Sequence, residues 1–129
     1  MTEVQRASSG GKYEDMIGYS RAVRAGSLVF VSGTASTSRS PVAGQDEAYE
    51  KAQEAIRVIS DALQKLGATL SDVVRTRVFV RADTDWKEVA RAHKAAFGSS
   101  RPASTWLVGN FLDPNVLVEI EADAVVLNQ

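Results

Sequence analysis

From Val118 to Val126 the chain alternates without a break. Val118, Ile120, Ala122, Ala124 and Val126 fall on one face of a period-two strand, and Glu119, Glu121 and Asp123 on the other. Such a strand cannot lie between two apolar layers, because unpaired buried carboxylates are too costly, so the acidic face must meet water, cations or a subunit partner. A second alternation runs from Val73 to Arg81, with Val74, Thr76, Val78 and Val80 facing one way and Arg75, Arg77, Phe79 and Arg81 the other. If these strands are neighbours, their polar faces form a cross-strand ladder of opposite charges. Pattern alone leaves open whether that face is solvated or forms an oligomer interface.

Between Gln45 and Leu66 the apolar positions Ala48, Ala52, Ala55, Ile56, Ile59, Ala62, Leu63 and Leu66 recur every three or four residues. This predicts an amphipathic helix laid on a sheet, ended by Gly67 in a left-handed cap. Thr69 and Asp72 have the spacing of a capping box. Asp85 and Glu88 repeat that spacing and predict a second helix through Phe97, with Trp86, Val89, His93, Ala96 and Phe97 as its inner stripe. Tyr19–Arg24 and Ser27–Thr34 bracket Ala25-Gly26 as a hairpin. Glu3 to Arg6 is a candidate edge strand, Ser8-Ser9-Gly10-Gly11 a turn or loop, and the Ser/Thr-rich stretch 35–43 with Pro41 a surface loop. Pro102 to Val108 reads as another strand, followed by turn chemistry at Asp113-Pro114-Asn115. Pairing of that strand with 118–126 through the turn would bring Ser104 and Thr105 beside Glu119. The expected architecture is α+β, a mixed sheet with both helices packed on one face, in a single domain over residues 1–129.

Composition narrows the chemistry. Fifteen basic and sixteen acidic residues give a net charge of -1, and no block of like charge points to nucleic acid or a membrane surface. With no cysteine, thiolate nucleophiles and Cys-based metal sites are excluded. His93 is the single histidine, which excludes a His-rich site and favours its reading as a packed side chain. No run approaches the length of a membrane span, and a cytoplasmic location is the default expectation.

The segment Pro102-Ala103-Ser104, the turn, and Val118-Glu119-Ile120-Glu121-Ala122 together resemble the C-terminal signature of the Rid (YjgF) family of imine deaminases, also known under the endoribonuclease L-PSP name. Further points of likeness are Gly18-Tyr19, Ser32-Gly33 thirteen residues after Tyr19, the strand Val73–Val80, and Asp85-Trp86. The resemblance implies a chorismate-mutase-like fold, a homotrimer, and small-molecule sites in the clefts between subunits. It also implies that Glu119 positions the hydrolytic water, with Tyr19, Ser32, Gly33, Trp86, Ser104, Thr105 and Trp106 at the substrate and no cofactor or metal. Where the family carries a carboxylate-binding Arg after Pro-Ala, this chain has Ser104; Ala90 stands for a polar Asn, and Trp106 for a small residue. These departures predict a less cationic, more aromatic pocket, suited to a neutral, cyclic or larger substrate rather than a small 2-imino acid. Two functions follow: a hydrolytic deaminase acting on an imine, enamine or related C–N bond, or a noncatalytic trimeric module that binds a small metabolite. A ribonuclease role finds no support in the charge pattern.

Overall fold

The computed structural model describes residues 3–36 and 47–127. In chain order these form β1 (Val4–Ala7), β2 (Ala22–Ala25), β3 (Leu28–Thr34), α1 (Glu47–Lys65), β4 (Val73–Arg81), α2 (Trp86–Phe97), β5 (Ala103–Gly109) and β6 (Val118–Val125). The strands make one sheet in the order β1-β2-β3-β6-β4-β5. Every pairing is antiparallel except β4 with β5. The α+β class expected from the sequence holds. Most of the predicted 35–43 loop and the helix residues Gln45 and Asp46 lie outside the described residues.

The alternation of β6 decides the layering. Val118, Ile120, Ala122 and Ala124 are each at most 1% exposed, which suits the strand that sits between β3 and β4 under the helices. α1 buries the predicted stripe, with Val58 added to it. Fully burying side chains such as Ile59 and Leu63, both at 0% exposure, contributes roughly 1.5–3 kcal/mol apiece. The helix stops at Gly67, whose φ of 79° is the predicted left-handed cap. Arg24 from β2 donates to the carbonyl of Leu66 at 2.7 Å, placing a cation at the helix C-terminus. A Cβ on Gly67 would be strained by the positive φ and would lie 2.9 Å from that guanidinium, which would have to shift from the Leu66 carbonyl.

Both predicted capping positions are occupied, one in full. The amide of Thr69 donates to Asp72 at 2.9 Å and opens a single 3-10 turn, Leu70–Asp72. Asp85 caps α2 by accepting from the Lys87 amide at 3.0 Å, but Glu88 pairs with Arg91 at 2.8 Å instead of turning back to the cap. Trp86 continues the spacing of the α2 stripe yet is 55% exposed, so it is not a core anchor.

Two further expectations are corrected. β5 does not pair with β6: the β4–α2–β5 crossover lays β5 parallel to β4, and β4 separates it from β6. A helix crossover is the connection that parallel neighbours require, and the 110–117 segment then carries the chain past β4. Val74 does not share a face with Thr76. The β4–β6 register shifts between Val73 and Arg75, turning Val73 into the core and leaving Val74 49% exposed.

The sheet face away from the helices carries the charge ladder. Arg77 reaches Asp123 at 3.2 Å and Glu121 at 3.4 Å. Arg75 turns instead to Thr105, donating at 2.6 Å. Among these charges stand Leu28, Phe30 and Leu107, between 43% and 50% exposed.

Candidate active site

A second bulge shapes the cleft. β3 and β6 pair Val31 with Ala122 and then Thr34 with Ile120, so three steps along β3 face two along β6. The extra residue puts Thr34 into the core at 1% exposure and turns Gly33 toward Glu119. A Cβ on Gly33 would lie 2.7 Å from Glu119 Oε1, so only glycine lets the carboxylate lie this close to the strand.

Glu119 itself is half-buried on the open face. Its carboxylate has no hydrogen bond or ion pair among the described residues. Burial pushes its pKa above the usual carboxylate range; the Arg21 charge opposes that rise and Glu121 adds to it. The carboxylate shares a cleft with Tyr19, Ser32 and Gly33, and exposed Ile17 and Leu112 stand at its edge.

Arg21, which lines the cleft, belongs to a buried ion pair that sequence reasoning did not single out. Arg21 is 7% exposed and Glu14 5%, with Arg21 Nε 3.5 Å from Glu14 Oε2. From Nη1, Arg21 donates to the Gly33 carbonyl at 2.7 Å and to Thr34 Oγ1 at 3.1 Å; from Nη2, it donates to the Tyr19 hydroxyl at 3.3 Å. Glu14 opens a five-residue helical turn, Glu14–Gly18. It accepts from the hydroxyl of Ser8 (2.8 Å), the amide and hydroxyl of Ser9 (3.1 and 2.6 Å) and the amide of Gly11 (3.3 Å). Burial alone would raise its pKa, but the bonds from Ser9, Ser8 and Gly11 outweigh it and bring the value down to about 2. The Ser8–Gly11 turn is therefore a carboxylate cradle. Its Ser-Ser-Gly-Gly composition is the one sequence signal that pointed there.

Of the expected site residues, one chain brings together Tyr19, Ser32, Gly33 and Glu119. Ser32 donates its hydroxyl to the Ser20 carbonyl at 2.8 Å. Thr105 lies on the open sheet face, but at β5, beyond β4. Ser104 and Trp106 turn to the helix side. Ser104 shares a hydrogen bond with Thr76 at 2.7 Å and accepts from Trp106 Nε1 at 2.9 Å. Thr76 in turn meets His93 Nε2 at 2.9 Å. His93 packs 4.8 Å from the Phe97 ring and 5.5 Å from that of Trp106, and burial holds its pKa below the usual histidine range. Trp86, at the start of α2, does not line the Glu119 cleft.

The family model for endoribonuclease L-PSP matches residues 12–126. The chain belongs to the Rid (YjgF) family. A structure with the same Rid fold is that of Rv2704 from Mycobacterium tuberculosis, a YjgF-family member 42% identical, with a TM-score of 0.85 over 96% of this chain and all of that one. The uncharacterized protein SCO2049 of Streptomyces coelicolor is 38% identical over 94% of this chain and 91% of its own. Among more distant Rid relatives is a 2-iminobutanoate/2-iminopropanoate deaminase from Dermatophagoides farinae, 30% identical over 84% of this chain and 85% of its own.

Proposed function

We propose that this Rid protein is a homotrimeric hydrolase that deaminates an imine or enamine, with Glu119 as its acid/base and a site completed by a neighbouring subunit. The observation that carries the reading is the carboxylate of Glu119, unpartnered among the described residues where it lies over Gly33, and harder to ionise than usual. A carboxylate whose proton affinity burial has raised is a stronger base than a free one and can exchange protons with water and substrate. A water held by Glu119 adds to the imine carbon while its proton passes to the carboxylate. Glu119 returns that proton to nitrogen to give a carbinolamine; it then takes the hydroxyl proton and passes it to nitrogen as the C–N bond breaks, and a carbonyl compound and ammonia leave. The step needs water and no cofactor. The name borne by the Dermatophagoides farinae relative supports the reaction class.

Assembly enters through geometry. In one chain Ser104 and Trp106 stand on the opposite sheet face from Glu119, across β4, so they reach such a site only from another copy. The open face, with Arg77 bridging two acids among Leu28, Phe30 and Leu107, has the mixed apolar and polar character of a subunit interface. Ser104, already bonded to Thr76 and Trp106, offers no positive charge to a carboxylate. With Ile17 and Leu112 at the cleft edge, the preferred substrate is neutral, cyclic or larger than a small 2-imino acid.

Glu119→Gln keeps the shape but removes the base, so ammonia release should fall by ~10² or more with the trimer intact. Glu121→Gln, its companion on the same strand face, should disturb assembly before chemistry. Turnover by Glu119→Gln at the parental rate would refute the mechanism. The second reading, a binding module without catalysis, is favoured by the neutral Ser104; absence of ammonia release across a panel of imines, with retained binding of their carbonyl products, would establish it.

A further inference from the structure

Arg21 lines the same cleft as Glu119, and Glu14 pairs with it from the Ser8–Gly11 cradle. Arg21 holds both residues at the bulge, through the Gly33 carbonyl and Thr34 Oγ1, and also the Tyr19 hydroxyl. It makes no direct ion pair with Glu119. We propose that Arg21 and Glu14 form a positioning pair for Glu119: Arg21 fixes the strand against which the carboxylate rests and acts on it electrostatically within the cleft, while Glu14 sets how much of that charge is felt. The inference rests on Glu119 being the acid/base of the site and adds the residues that tune it.

Three observations converge. Both members of the pair are buried, so solvent and salt screen their fields poorly. The five hydrogen-bonding directions of the guanidinium are largely committed, to Ser9 at 3.2 Å as well as to the groups above, which leaves it little freedom to swing toward a ligand. And Arg21 is the charge that opposes the effect of burial on Glu119. Glu121 of β6 works in the other sense. Among the described residues, the remaining charged side chains around the cleft are Lys12, Glu47 and Lys51, Arg81 of β4, and Asp113, together with the phenols of Tyr13 and Tyr19.

The pair predicts shifts of opposite sign from two neutral substitutions. Arg21→Gln removes the cation and should raise the titration midpoint of Glu119. Glu14→Gln leaves Arg21 uncompensated and should lower it. Arg21→Lys keeps the charge and should titrate close to the parent. The measurement is carbon-detected NMR of the full chain labelled at glutamate Cδ, with the Glu119 signal assigned by its loss in Glu119→Gln. An unchanged midpoint in Arg21→Gln, or the same shift in Arg21→Gln and Arg21→Lys, overturns the proposal. Should Glu14→Gln fail to fold, the two Arg21 variants decide alone. Ammonia release is read separately: the expected shifts together with an undiminished rate in Glu119→Gln would refute the deaminase reading and leave the coupling of Arg21 to Glu119 standing.

Discussion

Replacing Glu14 by Gln should destabilise the chain by about 3 kcal/mol at neutral pH. The magnitude comes from the fall in its pKa from 4.5 to about 2, at about 1.4 kcal/mol for each tenfold change in proton affinity. It agrees in scale with the roughly 3–5 kcal/mol lost when one partner of a buried ion pair is removed, here leaving Arg21 charged at 7% exposure. Gln can still accept from Ser8 and Ser9, which places the expectation at the lower end of that range. The pH dependence has a definite sign. A depressed carboxylate contributes its full stabilisation above its unfolded value of 4.5 and loses it as pH falls toward about 2. Urea unfolding at one fixed protomer concentration, at pH 7 and at pH 3, measures both effects. The parent should lose stability across that interval, and Glu14→Gln should lose less. A deficit under about 1 kcal/mol at pH 7, or parallel acid profiles for the two proteins, would show that the cradle of Ser8, Ser9 and Gly11 does not stabilise the charged form.

Charge reversal at Arg77, which bridges Glu121 and Asp123, should weaken assembly more than the same change at exposed Lys87; light scattering across a dilution series measures this, and a parent that is monomeric at micromolar concentration would refute the trimer. The parent should turn over 2-iminopropionate poorly, because a lost charge-assisted contact commonly costs ~1.5–3 kcal/mol. Ser104→Arg should raise that activity, unless the loss of the Thr76 and Trp106 bonds disrupts β5. His93, whose protonation burial disfavours, should draw stability down as pH drops below 6.5, where the unfolded chain takes up a proton more readily than the folded chain; unchanged urea midpoints between pH 7 and pH 5.5 in the parent relative to His93→Gln would refute this.

The sheet faces were legible because burial writes itself into period-two and period-3.6 spacing: the β6 alternation and the α1 stripe were read residue by residue. Neighbourhood was not legible. Nothing in the composition of 103–109 distinguishes a strand that turns back on β6 from one that follows a crossover and pairs with β4, so Ser104 and Glu119 seemed closer than one chain places them. Bulges defeat spacing as well, since one extra residue reverses every face beyond it, as at Val74. Trp86 shows a different limit: helical spacing says which way a side chain points and not whether an opposing layer is there to receive it. Glu119 was found through the family resemblance. Glu14 and Arg21 were missed because their partnership spans a loop whose closure around the carboxylate has no periodic signature.

β5 ends the sheet, bonded to β4 on one side and to no described strand on the other. It is seven residues long, with Leu107 and Val108 50% and 69% exposed, and it lacks the lysine, proline or bulge by which natural edge strands discourage one another. Left unpaired, that edge would be a template for indiscriminate strand addition. If the proposed trimer shields it, variants that loosen that trimer would leave the soluble fraction before they could be weighed as monomers. A lysine placed at Val108, on the rim of that edge, offers the practical way to keep a lone protomer in solution.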